Sequence, residues 1–151
     1  VEWLVAACAR LALPVVFSEQ YPKGLGPTLA RLREACASAP VVEKLHFSCV
    51  PAECLPQAMM QREQVILCGI ECHVCVLQTA LDLLAAGKQV FVVADATSSR
   101  TAENHLAALQ RMAAAGVQVV TREMVVFELL RSASHEQFRE ISKAFLAGEQ
   151  P

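Results

Sequence analysis

Cys75 has the sequence setting of a reactive thiol. It follows an apolar run at residues 65–68, a glycine at position 69 and a short turn, and it opens a segment with helical periodicity. This order places a thiol at the carboxyl end of a strand and the amino end of a helix, where the helix dipole and free N–H groups favour the thiolate. A thiolate there can attack an electrophile. The alternative is a buried cysteine with no chemical role.

The other cysteines show neither a disulfide framework nor a metal-site pattern. The chain has seven cysteines, an odd number, and no recognisable signal peptide, which favours free thiols in a reducing compartment. Cys68, Cys72, His73 and Cys75 lie close together in the sequence, but no second pair of ligands has the spacing of a structural zinc site. We therefore predict no metal and no cofactor.

Composition limits the class of protein. The chain has 151 residues, of which 54% are hydrophobic, so a single domain over residues 1–151 is expected. Its net charge of −2 gives no basic surface for nucleic acid, and no apolar run reaches the ~18 residues that span a bilayer. The apolar content and the segment 124–130, apolar nearly all round, predict a homo-oligomer. The predicted location is intracellular, in the cytoplasm, and a mitochondrial location stays open.

Apolar strands alternate with helical segments along the sequence. Strands are predicted at residues 15–17, 41–42, 65–68, 89–94 and 117–120. Helices are predicted at residues 2–13, 28–36, 52–62, 101–115, 123–131 and 136–146, and another begins at Cys75. Residues 18–27, rich in Pro and Gly, are predicted to be a loop. The alternation predicts an α/β fold of three layers, Rossmann-like, with five strands visible in a parallel sheet between helices.

Three segments should meet at one edge of this sheet. Ligands of open parallel sheets bind beyond the carboxyl ends of the strands, where the strand order reverses. The loop at 18–27, Lys44 after the second strand, and Cys75 after the third all follow strands. A solvated surface lysine is the alternative interpretation of Lys44.

Four segments have the motifs and the order of a known family. Gly-Ile-Glu-Cys-His-Val-Cys-Val at 69–76 resembles the nucleophile turn of the isochorismatase-like cysteine hydrolases, although Cys72 stands where that family usually has threonine. Glu-Lys-Leu-His-Phe-Ser at 43–48 is similar to its strand-end lysine segment. Ser-Glu-Gln-Tyr-Pro-Lys-Gly-Leu-Gly at 18–26 and Asp-Ala-Thr-Ser-Ser-Arg at 95–100 resemble the eukaryotic isochorismatase-domain-containing subgroup.

The resemblance implies a mechanism. Cys75 would be the nucleophile, Lys44 would stabilise negative charge, and the backbone N–H groups of Glu71 and Cys75 would form an oxyanion hole. The substrate pocket is assigned to Gln20, Tyr21, Leu25 and Phe47. The substrate would be a small molecule with an amide or related C–N (or ether) bond. A cis peptide is implied between Ile70 and Glu71. The metal-binding relatives' Asp-x-His arrangement has no counterpart at residues 18–21, so no metal is implied.

One part of the family pattern is missing from the sequence. The family's catalytic aspartate follows an amino-terminal strand in a phrase of the form apolar-apolar-Asp-x-Gln, and no such phrase occurs here. We therefore expect an amino-terminally incomplete domain that lacks its central first strand. The alternative function is a catalytically inactive protein that keeps the fold and serves as an interaction scaffold. An aspartate at the end of an upstream strand would favour the enzyme.

Overall fold

Five parallel strands alternate with helices in the computed structural model, which describes residues 1–146, without the side chain of Leu146. The strands are β1 Phe17–Gln20, β2 Val41–Lys44, β3 Gln64–Gly69, β4 Gln89–Thr97 and β5 Gln118–Val120. The helices are α1 Glu2–Arg10, α2 Pro22–Leu25, α3 Ala30–Ala35, α4 Gln57–Met60, α5 Leu77–Ala85, α6 Ala102–Ala115, α7 Arg122–Leu130 and α8 Phe138–Ile141. Two π-helical turns, Cys72–Val76 and Ser142–Leu146, precede α5 and follow α8.

The strands form two hydrogen-bonded groups. β1 pairs with β2, with Gln20 opposite Lys44, and the second group has the order β3-β4-β5. Within residues 1–146 no ladder joins the two groups. A cavity lined by residues of β1, β2 and β3 lies between them. The parallel α/β fold predicted from the sequence is confirmed.

Helices cover both faces of the β3-β4-β5 group. On one face, Leu83 of α5 and Met112 of α6 pack with Val92 of β4. On the other, Leu4 of α1 and Val125 of α7 pack in a cluster with β-strand side chains. Burying such side chains is the main favourable term in folding. Because both faces are covered, the strands read as continuous apolar runs in the sequence. No helix within residues 1–146 is long and apolar enough to cross a membrane.

The predicted limits of α6 are confirmed. Thr101 caps the helix, since its side-chain oxygen accepts a hydrogen bond from the Asn104 N–H at 3.2 Å. Gly116 ends it in the left-handed conformation with φ 103°, which a glycine adopts without steric cost.

The predicted limits near β1 are wrong. The strand begins at Phe17 and runs to Gln20, so it extends into the segment 18–27 that was predicted to be a loop, and α2 forms in the same segment. The cause is a long-range pairing with β2, which places Glu19 opposite Glu43. Local turn chemistry in the sequence carries no information about this partner.

Other elements differ in length from the sequence prediction. Helix 52–62 shrinks to α4, because Pro56 disfavours the helical conformation of the residue before it. Helices 2–13, 28–36 and 136–146 shorten to α1, α3 and α8. β4 continues to Thr97, so Asp95 lies inside the strand rather than at its end. The Asp95 carboxylate accepts a hydrogen bond from the Arg122 backbone N–H at 2.8 Å and forms an ion pair with the Arg122 guanidinium at 3.1 Å.

Candidate active site

The turn between β3 and α5 is built from two residues with positive φ. Gly69 has φ 132°, and Glu71, at φ 53°, adopts the left-handed conformation that precedes the π-helical turn. The Cys72 N–H donates to the Ser98 carbonyl at 2.8 Å, and the Ser98 N–H donates to the Gly69 carbonyl at 3.1 Å. The turn is thereby attached to the end of β4. Within residues 1–146 no peptide bond is cis, so the implied cis bond between Ile70 and Glu71 is wrong.

Cys75 lies in the first turn of the helical segment, which begins at Cys72 rather than at Cys75 itself. The thiol is partly buried, and its Sγ lies 3.9 Å from Oε1 of Gln20. The Cys75 N–H donates to the Glu71 carbonyl at 3.1 Å. The residue therefore has the predicted place after β3 and near a helix amino terminus.

Lys44 is buried, with 6% of its surface exposed. Its Nζ donates to Gln20 Oε1 at 2.6 Å, to the Phe47 carbonyl at 2.7 Å and to the His46 carbonyl at 3.2 Å. An ammonium has three protons, so each acceptor can take one. The interpretation as a solvated surface lysine is wrong. No carboxylate within residues 1–146 forms an ion pair with this ammonium.

Cys75, Lys44 and Gln20 share the cavity between the two groups of strands, which has a volume of about 160 Å³. Sequence reasoning missed Ser18, Cys49 and Thr79 on its wall. Thr79 is buried, and its hydroxyl oxygen accepts the Cys49 N–H at 3.1 Å. Thr79 stands four residues after Cys75, a spacing that puts both on one face of a helix, and this signal could have identified it.

The other predicted pocket residues lie outside the cavity that holds Cys75. Tyr21 is 50% exposed and Leu25 is 73% exposed, and neither lines this cavity. Phe47 lines a separate cavity of about 400 Å³ together with Gln78 and Asp82. The structure thus brings Gln20 to the thiol and leaves the other three outside the cavity.

The predicted oxyanion-hole donors differ in availability. The Glu71 N–H has no hydrogen-bond partner among the described residues, whereas the Cys75 N–H donates along its own helix. The Glu71 carboxylate faces outward, 3.2 Å from Nη2 of Arg100 and 3.6 Å from Nδ1 of His73. His73 also contacts the Ser99 hydroxyl, through Nδ1 at 3.0 Å and through its backbone N–H at 3.3 Å. These contacts hold the outer side of the turn.

Four of the seven thiols are shifted toward the neutral form. Burial, with smaller contributions from the Cys68 and Cys36 thiols, raises the pKa of Cys8 to about 11. Burial likewise raises the pKa of Cys68 and of Cys72. The pKa of Cys54 is raised by burial and by the neighbouring Cys49 thiol. Since the thiolate is the nucleophilic form, these four thiols are disfavoured as nucleophiles. In residues 1–146, no group of three or more His, Cys, Asp and Glu residues could hold a metal ion.

The family model of the isochorismatase domain matches residues 1–124. The chain belongs to the isochorismatase family. It is 47% identical over 136 residues to the mouse isochorismatase domain-containing protein 2A, covering 88% of this chain and 64% of that protein. The chain therefore spans about two thirds of the length of this relative.

Two solved structures show the same fold. The MAR1 ribonuclease from Caenorhabditis elegans superposes with a TM-score of 0.90 at 38% identity, over 99% of this chain and 78% of that one. The YcaC gene product of Escherichia coli, described as an octameric hydrolase of unknown specificity, superposes with a TM-score of 0.88 at 25% identity, over 95% of this chain and 74% of that one. Membership of the predicted superfamily and of its eukaryotic subgroup is confirmed.

Proposed function

We propose that this protein is a hydrolase with a cysteine nucleophile, Cys75, acting on a small amide or a related C–N (or ether) bond. The observation that carries the proposal is the position of the Cys75 thiol after β3, in the same cavity as the buried Lys44 ammonium. The family and the hydrolase description of the E. coli relative support the reaction class.

The proposed reaction has two steps. The sulfur of Cys75 attacks the substrate carbonyl carbon, so a C–S bond forms, the C–N bond breaks and the amine leaves with a proton. Water then hydrolyses the thioester, which releases the acid and restores the thiol. We propose that the Glu71 N–H is the main donor to the oxyanion, because the Cys75 N–H is already shared with a carbonyl.

The role proposed for Lys44 is electrostatic. Its ammonium donates hydrogen bonds to neutral oxygens, those of the Gln20 amide and of two backbone carbonyls. Within residues 1–146 no carboxylate therefore neutralises its positive charge. A negative charge that develops in the cavity would be attracted to it, and solvent screens this attraction less than at the surface because Lys44 is buried. The aspartate that the family resemblance implies as the base has no counterpart beside Lys44 in the described part of the chain.

We also propose that the protein forms a homo-oligomer, as the E. coli relative is described to do. α7 buries Val125 and Val126 against the core, while Met124 and Phe127 stay about half exposed on its outer side. Exposed apolar side chains on a helix that already buries one face are typical of an interface. A monomeric mass in light scattering at micromolar concentration would contradict this.

Reaction with an activated acyl ester tests the enzymatic proposal without depending on a separate base. p-Nitrophenyl acetate should release a burst of nitrophenolate and leave an acetyl group on the peptide that contains Cys75, as seen by mass spectrometry. Cys75→Ala should abolish both signals, while Cys36→Ala, at a thiol outside the cavity, should keep them. Absence of the adduct in the unaltered chain would favour the scaffold function. Cleavage of RNA without an acyl adduct would point to the activity named for the C. elegans relative.

A further inference from the structure

The orientation of the Gln20 side-chain amide is fixed by its neighbours. Its Nε2 donates to the Leu45 carbonyl at 2.7 Å, and its Oε1 accepts from Lys44 Nζ at 2.6 Å. An amide nitrogen only donates and an amide oxygen only accepts. The reverse orientation would set an NH₂ group against an ammonium and an oxygen against a carbonyl, so only the orientation described satisfies both contacts.

This orientation presents an acceptor oxygen to the thiol of Cys75. The Sγ atom lies 3.9 Å from Oε1, at the long end of the range for a thiol donor. The same oxygen accepts a hydrogen bond from Lys44 Nζ, whose other two N–H groups donate to the carbonyls of His46 and Phe47. All three N–H groups of the ammonium therefore have acceptors other than the sulfur. Gln20 Oε1 is in contact with both Lys44 Nζ and Cys75 Sγ.

We propose that Gln20 is a positioning residue that sets the balance between thiol and thiolate at Cys75, by holding an amide oxygen between that sulfur and the Lys44 ammonium. This inference rests on the proposed function, in which Cys75 is the nucleophile. It assigns Gln20 a role in setting the ionisation of the proposed nucleophile, beyond the substrate-pocket role expected from the sequence.

Two substitutions at position 20 should have opposite effects. An oxygen that accepts a hydrogen bond from the S–H group favours the neutral thiol. Gln20→Met removes this oxygen, so one Lys44 N–H group loses its acceptor. That N–H group can then donate to the sulfur of Cys75, which favours the thiolate. Gln20→Glu places a negative charge at the same position, which neutralises the ammonium and repels a thiolate.

The test is the rate at which iodoacetamide alkylates Cys75 between pH 5 and pH 10, measured by peptide mass mapping. We expect the pH of half-maximal rate to fall by about one unit in Gln20→Met and to rise by about one unit in Gln20→Glu, since a charge within a few ångströms shifts such an equilibrium by one unit or more. Gln64→Met is the matched control, because Gln64 is exposed on β3 and its side chain donates a hydrogen bond to that of Gln89, outside the cavity. It should keep the profile of the unaltered chain.

The outcome separates this inference from the proposed function. Profiles that stay unchanged in both variants, or that move in the same direction, would overturn the role of Gln20 even if Cys75 forms the acyl adduct. The expected opposite shifts, combined with no acyl adduct, would support the role of Gln20 at the thiol and contradict only the hydrolase. Circular dichroism confirms that the variants compared are folded, and Gln20→Glu, almost the same shape as glutamine, serves if Gln20→Met does not fold.

Discussion

Cys72 and Cys75 are three residues apart in one π-helical turn, yet their surroundings are opposite. Cys72 is 0% exposed and packs in the cluster between α5, α6 and β4. Burial raises the pKa of its thiol, and a contact with the Thr97 hydroxyl opposes this in part. Cys75 is partly exposed, lies beside Gln20, and lines the cavity between the two groups of strands together with Lys44.

The difference shows that the turn, rather than the residue type, decides where each thiol lies. The left-handed Glu71 and the bond from the Cys72 N–H to Ser98 direct the first thiol into the core. Three residues further on in the same π-helical turn, the second thiol lies at the carboxyl end of β3, in the cavity. One cysteine therefore contributes apolar contacts, and the other keeps its sulfur partly exposed, as the proposed role in catalysis requires.

Removing the charge near Cys75 should give the largest change. In Lys44→Met the stem still packs, but the ammonium is gone, so alkylation of Cys75 at neutral pH should slow roughly ten-fold or more. The carbonyls of His46 and Phe47 lose their donor, so the free energy of unfolding should also fall by about 1–3 kcal/mol. Iodoacetamide kinetics and urea denaturation measure the two effects.

The matched control is Lys143→Met, which makes the same change at an exposed lysine near the end of the described chain. It should leave both quantities unchanged. If Lys44→Met alkylates at the unaltered rate over the whole pH range, the ammonium does not act on Cys75.

The raised pKa of the buried Cys8 thiol should lower the stability of the folded chain at high pH. The pKa of Cys8 is about 11 in the folded chain and about 9 for an exposed thiol. Between these values the folded state binds more protons than the unfolded state, so stability falls as the pH rises. The loss is about 2–3 kcal/mol by pH 12 and absent below pH 8. Urea denaturation with a reductant measures it, and Cys8→Ala should flatten the slope, whereas an unchanged slope in that variant would exclude Cys8 as its source.

A smaller effect is expected on the outer side of the turn. Ser99→Ala removes the hydroxyl that accepts the His73 N–H and contacts its ring, so the free energy of unfolding should fall by about 0.5–1.5 kcal/mol. Ser98→Ala is the control, because Ser98 is exposed and holds the turn through backbone atoms, which the substitution keeps. Equal loss in both variants would mean that the Ser99 hydroxyl does not hold the turn.

Local signals in the sequence were sufficient for the order of strand, glycine turn and helix around Gly69, and for the limits of α6. Gly69, Thr101 and Gly116 each have a conformational or capping role that depends only on near neighbours. The sequence also indicated that Cys75 and Lys44 follow strands that share an edge. It could not give the extension of β1 to Gln20, because this depends on pairing with a strand more than twenty residues away.

The composition of the pocket was also beyond local reasoning. The predicted pocket includes Tyr21 and Leu25, from the segment expected to be a loop, but α2 forms there and leaves both exposed. Cys49 reaches the cavity through the loop after β2, where its N–H bonds to Thr79. Loop paths of this kind are set by tertiary contacts.

The most direct test of the account is competition among the seven thiols for substoichiometric iodoacetamide at neutral pH, read by peptide mapping. We expect Cys75 to label first, and Cys8, Cys68 and Cys72 to label only when the chain is unfolded, since burial raises the pKa of these three. Faster labelling of Cys8 or Cys36 while Cys75 stays unmodified would contradict the assignment of Cys75 as the reactive thiol.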